Sequence, residues 1–220
     1  MKNLKKSLVL LLSMLLLALA AAGCGGAPAK SDAKPETKPA AVSRIDQIKK
    51  NGKLILATGN YRPFEYHDEK TNKIIGYDID VAEAIAKKIG VPLEVTEMQF
   101  TGLIPSLQNG QADLVIAAMY ITPARKEVVD FADPYMDTGM VVAVRKDDTA
   151  IKGPNDLNGK VVGVKTGATS EKVAQDMNEK GAKITIKSYK ETVDYLLDLQ
   201  NGRLDAAIND LLNQLEYNKA

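Results

Sequence analysis

The chain has no tryptophan, three phenylalanines, one histidine and one cysteine among its 220 residues. One cysteine forms no internal disulfide and cannot supply a Cys-x-x-Cys redox or zinc motif. With His67 as the only histidine there is no HExxH pair, so neither a zinc site nor a histidine-based catalytic triad has the residues it needs. An excess of one charge is lacking too. Lysine and arginine total 29 against 28 acids, and 26 (29 − 3) against 28 once Lys2, Lys5 and Lys6 are set aside. A near-neutral body gives no electrostatic case for a nucleic-acid partner. No cofactor or metal is expected, and the site is expected to be non-catalytic.

Long apolar runs are confined to the start of the chain. MKNLKKS carries three lysines, Leu8 to Ala22 is almost wholly apolar, and Ala21-Ala22-Gly23-Cys24 follows. A basic n-region, a short h-region and a small-residue cleavage site describe an export signal over residues 1–23. The run is shorter than the roughly 20 apolar residues that a spanning helix uses. The segment ending at Cys24 resembles the lipobox of bacterial lipoproteins, although Ala21 stands where such boxes more often carry leucine. That resemblance implies a diacylated Cys24 as the mature N-terminus, with the chain lipid-anchored on the extracytoplasmic face of a bacterial cell membrane. Gly25 to Ser43 mixes Pro, Ala, Lys and acids without apolar periodicity, so residues 24–43 read as a lipidated cysteine and a disordered tether. Coil scaling gives its nineteen residues (25–43) a span of roughly 25 Å.

The remaining chain says one thing twice. Leu107-Gln108-Asn109-Gly110-x-x-Asp113 returns as Leu199-Gln200-Asn201-Gly202-x-x-Asp205, an offset of 92 residues (202 − 110). Each phrase ends a helix with glycine and opens a strand with aspartate. Ninety residues is long for a solenoid repeat but suits two similarly built α/β lobes. Strands are predicted at 53–58, 93–98, 113–118, 140–144, 161–164, 184–188 and 205–208. Helices are predicted from a cap at Asp78 to Ile89, over 103–109, from Thr122-Pro123, from Thr169 or Ser170 to about Lys180, and over 192–201. Asp113–Ala118 reads as a strand buried on both sides. The expected organisation is lobe 1 over 44–143 and lobe 2 over 144–220, crossed by the strand near Met140 to Arg145. In such sheets ligands bind beyond the carboxyl ends of the strands.

Several residues are expected at those ends. Arg125 would sit three residues past a Thr122 cap, where a cation opposes the helix dipole unless it holds a carboxylate. The alternative is a surface ion pair with Glu127 or Asp130. Asp210 ends a strand and could receive an ammonium, or simply cap a helix. Thr169 beside Gly167 could donate to a carboxylate, or cap its own helix. Tyr61, Phe64 and Phe100 lie at strand ends and could form aromatic walls, with core packing as the default for each.

Read in order, Tyr61-Arg62-Pro63-Phe64-Glu65-Tyr66, Gly76-Tyr77-Asp78-Ile79-Asp80, Phe100-x-x-Leu103-Ile104-Pro105-x-Leu107-x-x-Gly110-x-x-Asp113, Ile121-Thr122-Pro123-x-Arg125, Asp130-Phe131-x-Asp133-Pro134-Tyr135, Leu157-x-Gly159-Lys160-x-Val162-Gly163-Val164 and Gly202-Arg203-x-Asp205-Ala206 cover most of Leu54–Asp210. The chain resembles the polar-amino-acid substrate-binding lipoproteins of ABC importers, extracellular solute-binding protein family 3. The resemblance implies a two-lobed α/β fold of the periplasmic-binding-protein-like type II class, with mainly parallel sheets and a hinge. It implies a monomer that captures a polar or neutral amino acid and delivers it to the permease subunits of an ABC transporter. It also implies a ligand site of Tyr61, Phe64, Phe100, Ala118, Tyr120, Thr122, Arg125, Thr169 and Asp210. Arg125, a backbone amide before it and Thr169 would take the α-carboxylate, and Asp210 the α-ammonium. Tyr61 and Phe100 would sandwich the side chain, and lobe closure would trap the ligand.

Three departures accompany the resemblance. Tyr120 stands where many members carry Ser or Thr. The segment Ala57–Tyr61 is one residue shorter than in members with an aspartate there, which tilts the ligand away from lysine and arginine. Family members usually continue several tens of residues past the position of Asp210, so lobe 2 and the return to lobe 1 are expected to be incomplete. Two rival functions share this fold: a cyclohexadienyl dehydratase-like enzyme, with Glu65, His67 or Asp210 as acid or base, and a ligand-sensing domain.

Overall fold

The structure is a computed structural model in which residues 43–219 are described. The expected signal, Cys24 and the tether lie outside the described residues, except for Ser43, which caps a first helix by accepting the Asp46 N–H. In chain order the elements are α1 (Arg44–Asn51), β1 (Leu54–Thr58), β2 (Tyr66–His67), β3 (Ile74–Ile75), α2 (Tyr77–Ile89), β4 (Leu93–Glu97), α3 (Phe100–Gln108), β5 (Leu114–Val115), α4 (Pro123–Lys126) and β6 (Met140–Ala143). A 3-10 turn at Pro154–Leu157 leads to β7 (Val161–Lys165), α5 (Thr169–Glu179), β8 (Thr185–Tyr189), α6 (Thr192–Gln200), β9 (Ala206–Asp210) and α7 (Leu211–Tyr217).

Two larger sheets and the small antiparallel β2–β3 pair organise these elements. The first has strand order β4-β1-β5, all parallel. The second has order β6-β9-β7-β8, with β7 parallel to both neighbours and β6 antiparallel to β9. Strip off β6 and both lobes run strand, helix, strand, helix, strand, with the first strand in the middle and the third beside it. The repeated phrase sits at the same place in each. Asn109 and Asn201 close α3 and α6, and Gly110 and Gly202 follow at φ 69° and 72°, a left-handed turn that glycine adopts without a Cβ clash. Each aspartate then clamps the start of the central strand. Asp113 Oδ2 accepts the Ile55 N–H at 2.9 Å, and Asp205 Oδ2 accepts the Val161 N–H at 2.8 Å. The main-chain N–H of each aspartate donates back to the carbonyl of the same residue.

Each lobe has its own core. Leu56, Ile79, Ala82 and Ile116 pack together in the first, and Leu157, Val162, Val164, Ala174, Ala206 and Ile208 in the second. An apolar groove of about 570 Å³, lined in part by Ile85, Leu107 and Phe131, borders β5, the last strand of the first sheet.

Three expectations are corrected. Met140–Ala143 was expected in lobe 1 but pairs with β9, so it belongs to the second sheet. The strand expected over 113–118 shortens to Leu114–Val115, half-buried rather than buried on both sides, because the chain turns at Ala118, whose φ is 46°. Asp78 does not cap α2. Gly76 does, at φ 128°, where an added Cβ would lie 2.3 Å from the Phe64 carbonyl oxygen. Asp78 lies inside the helix with its carboxylate buried.

Candidate functional site

The carboxyl ends of β1, β7 and β9 converge with the N-termini of α3 and α5, as parallel α/β units place them. Tyr61, Phe100, Ala118, Tyr120, Thr169 and Asp210, expected from the sequence, line one cavity there, joined by Lys165, Met140 and Ser170. Its free volume is about 30 Å³, room for a water or two. Hydrogen bonds from Tyr61 to Asn209, Tyr120 to Asp210 and Arg125 to the Gly167 carbonyl join the two lobes around it.

Arg125 has the geometry its position predicted and none of the surface pairing. Thr122 caps α4 and accepts the Arg125 N–H at 3.3 Å, with Pro123 in the first turn. The guanidinium donates to the Tyr120 carbonyl at 2.8 Å, to the Gly167 carbonyl at 3.1 Å and to the Thr169 hydroxyl at 3.4 Å. Its carbon lies 5.3 Å from the Phe100 ring centroid. Among the described residues no carboxylate reaches ion-pair distance of it. Burial alone pulls its pKa down. The half-buried guanidinium thus faces only neutral acceptors and the face of an aromatic ring, with no counter-charge among the described residues.

Arg125 is not among the residues lining the cavity and borders it through Tyr120, Thr169 and Phe100, whereas Asp210, 2% exposed, does line it. Its Oδ2 accepts the Tyr120 phenol at 2.5 Å and the Thr138 hydroxyl at 3.0 Å. Its Oδ1 caps α7 through the Leu212 and Asn213 amides at 2.8 and 3.3 Å. It is thus both a cap and a cavity group. Burial, reinforced by the bond to Asp210, pushes the Tyr120 phenol above its ordinary range, so it stays a donor. Tyr120 in this way spans from the cation, through its carbonyl, to the anion, through its hydroxyl.

Tyr61 donates to Asn209 Oδ1 at 2.8 Å and stacks on Phe64, with centroids 6.0 Å apart and planes at 8°. Phe64 is 2% exposed and is not among the residues lining the cavity; it supports the wall from behind. Thr122 also stands back from the cavity and acts through Arg125. Thr169 is the first helical residue after an Ala168 cap, so its hydroxyl is not used as the cap. His67 is on the β2–β3 hairpin, bonded to Glu97, and Glu65 is buried behind the wall. Of the three acid–base groups named for an enzyme, Asp210 alone lines the cavity.

Sequence reasoning passed over Lys165. It ends β7 at 6% exposure, with Nζ 4.8 Å from the Tyr61 ring centroid and 5.7 Å from that of Phe100. Burial lowers its pKa, while Glu191 and Glu65 act the other way through their fields. Among the described residues no carboxylate is paired with it. The signal was present in the sequence: a lysine closing the apolar run Val161–Val164 directly before Thr166-Gly167.

The family model for bacterial extracellular solute-binding proteins, family 3, matches residues 54–219. The probable amino-acid-binding protein YxeM of Bacillus subtilis (strain 168) is 34% identical over 94% of this chain and 71% of its own length. A solved ancestral amino acid-binding protein, a precursor of cyclohexadienyl dehydratase, superposes with a TM-score of 0.76 at 38% identity, covering 80% of this chain and 78% of that one. An ancestral arginine-binding protein bound to glutamine does so with a TM-score of 0.71 at 43% identity, covering 76% and 73%. The chain belongs to family 3 of the bacterial extracellular solute-binding proteins, with the two-lobed type II fold its sequence implied. It spans roughly three quarters of the length of these relatives.

Proposed function

We propose that the cavity binds the zwitterionic end of a free amino acid. The observation that carries this reading is that one residue, Tyr120, bridges Arg125 and Asp210. The fixed cation and anion are therefore about one tyrosine apart, on opposite sides of a cleft between lobes. The α-carboxylate would replace the neutral acceptors now on Arg125, assisted by Thr169. The α-ammonium would replace one of the hydroxyls on Asp210 Oδ2. Entry requires the lobes to part, because Tyr61–Asn209, Tyr120–Asp210 and Arg125–Gly167 cross the cleft and little volume is left between them.

Beyond the zwitterion, the side chain would run between Tyr61 and Phe100 toward Lys165. A cation there favours an uncharged acceptor, as in glutamine, over a lysine or arginine side chain. The glutamine-bound arginine-binding ancestor is a relative in which this fold accepts that ligand. Lys165 thus supports a ligand whose side chain carries an acceptor rather than a cation, in keeping with the expected polar or neutral amino acid. The signal-like segment over residues 1–23 and Cys24 support a chain acylated as bacterial lipoproteins are and tethered outside the cytoplasmic membrane, and we take it to act as a monomer. In that place it would hand its ligand to ABC permease subunits. A ligand-free enzyme role is disfavoured, since His67 and Glu65 do not line the cavity and Asp210 is engaged by four donors.

Thermal unfolding of the full chain against the twenty amino acids and cystine tests the reading. A ligand selective for the folded state adds about 2.7 kcal/mol at a hundredfold excess over its dissociation constant. An upward shift with a neutral polar amino acid, lost in Arg125→Ala, is expected. A transition that no amino acid moves but prephenate or arogenate does would replace the proposal with the dehydratase-like one.

A further inference from the structure

Behind the cleft wall two carboxyl groups meet in the interior of the first lobe. Glu65 is 1% exposed and Asp78 0%. Asp78 Oδ2 accepts the Ala118 N–H at 2.7 Å and the Tyr135 phenol at 3.1 Å. Asp78 Oδ1 and Glu65 Oε2 are buried without a hydrogen-bond partner. As two carboxylates they could only accept, and they would repel each other in a site closed to water. A single proton removes both difficulties, since it makes one carboxyl a donor to the other.

The surroundings agree on where that proton sits. Burial, and after it the charge of Asp78, pushes Glu65 well above the ordinary carboxylate range. Burial also raises Asp78, but there the bonds from the Ala118 amide and the Tyr135 phenol act in the opposite direction. Lys165 on β7 favours ionised Glu65, and Glu97 at the end of β4 opposes it. Tyr135, on the stretch between α4 and β6, is itself pushed up by burial and by Asp78, so it remains a donor. Glu191 acts on Lys165 rather than on the pair directly.

We propose that Glu65 and Asp78 hold one proton between them at neutral pH, carried by Glu65, and that the pair is a positioning device for the cleft wall. Asp78 holds Ala118 in a left-handed conformation, φ 46°, that is uncommon for a residue with a Cβ. Ala118 lines the cavity two residues before Tyr120. Loss of the proton sets two carboxylates against each other and draws Asp78 away from the Ala118 amide. The consequence for binding rests on the amino-acid reading of the cleft; the proton itself does not.

The test is made on the full chain, without ligand. Side-chain carboxyl carbons, labelled with carbon-13 and assigned by through-bond NMR correlations, are followed from about pH 4, near the ordinary glutamate value, into the alkaline range. The Glu65 carbon is expected to keep its protonated position through neutral pH. Titration in the ordinary range with the fold intact overturns the proposal. Unfolding equilibria supply the second readout. A group that keeps its proton in the folded state makes stability fall as pH rises from its unfolded value to its folded one, by up to about tenfold in the folding constant per pH unit. Glu65→Gln, which keeps a donor toward Asp78 but has nothing to titrate, should remove that component, and an identical slope in both proteins counts against the pair. Glu65→Ala supplies no donor and should destabilise where the glutamine variant does not. The carbon measurement on the unmodified chain decides the matter even where a variant does not fold, and neither readout depends on the cleft binding an amino acid.

Discussion

Replacing Lys165 with methionine removes a buried charge from the cleft and keeps most of its aliphatic stem. The ammonium lies 4.8 and 5.7 Å from the two ring centroids that would flank a ligand side chain. A guanidinium entering between those rings therefore comes to within about 5 Å of it. At an effective dielectric constant of about 20, two like charges at that distance repel by about 3 kcal/mol, more than a hundredfold in affinity. A glutamine amide in the same place gains a hydrogen bond from a charged donor instead, worth about 1.5–3 kcal/mol. Calorimetric titration of both proteins with L-glutamine and L-arginine at one ionic strength reads the two effects. Wild type should prefer glutamine by a wide margin. Lys165→Met should weaken glutamine about tenfold or more and strengthen arginine by up to about a hundredfold. Because burial lowers the lysine's pKa, discrimination against arginine should fade as pH rises, sooner than for an ordinary lysine. Arginine binding wild type as tightly as glutamine at neutral pH would refute the reasoning, as would a variant that moves neither ligand.

Arg125→Ala should weaken amino-acid binding by about a hundredfold, the loss of a charge-assisted bidentate contact, yet leave stability unchanged or slightly raised, because the guanidinium is desolvated without a carboxylate partner. Titration and thermal unfolding on the same sample check the opposed signs. Asp113→Ala and Asp205→Ala should each cost about 1–3 kcal/mol by leaving the Ile55 or Val161 amide unpaired, measured in urea. The first also breaks the Arg44–Asp113 ion pair, at 2.7 Å, but half of Arg44 is solvent-exposed, so the two losses should be similar. Cys24→Ser should release the chain from the membrane fraction and abolish incorporation of labelled palmitate, with binding of L-glutamine in solution unaffected.

Much of the fold could be read from local pattern because its causes are local. Apolar spacing set the face of α2, Thr122-Pro123 set the start of α4, and Gly110 and Gly202 set the ends of α3 and α6. The repeated phrase was legible for the same reason, although the role of its aspartates was not. Asp113 and Asp205 serve amides 58 and 44 residues away in the chain, and no local rule reports such a bond. The shortness of β5 escaped as well, since Ala118 turns against its propensity, held by Asp78 from 40 residues away.

The candidate site divides along the same line. The sequence by itself determined the two-lobe plan and the residue types at the strand ends, including Arg125 where a helix start would otherwise disfavour it. Only the tertiary structure separated Tyr61, on the cavity, from Phe64, stacked behind it, though both were aromatic candidates in one short segment. Only it showed that Arg125 faces no carboxylate among the described residues, that Tyr120 bridges the two charges, and that Lys165 turns inward to the aromatic rings. The physical reason is that propensity and capping act over a few residues, whereas burial and charge neighbourhood depend on chain segments brought together from afar. Tyr61 meets Asn209 across 148 residues, and a contact of that kind exists only once both lobes are folded.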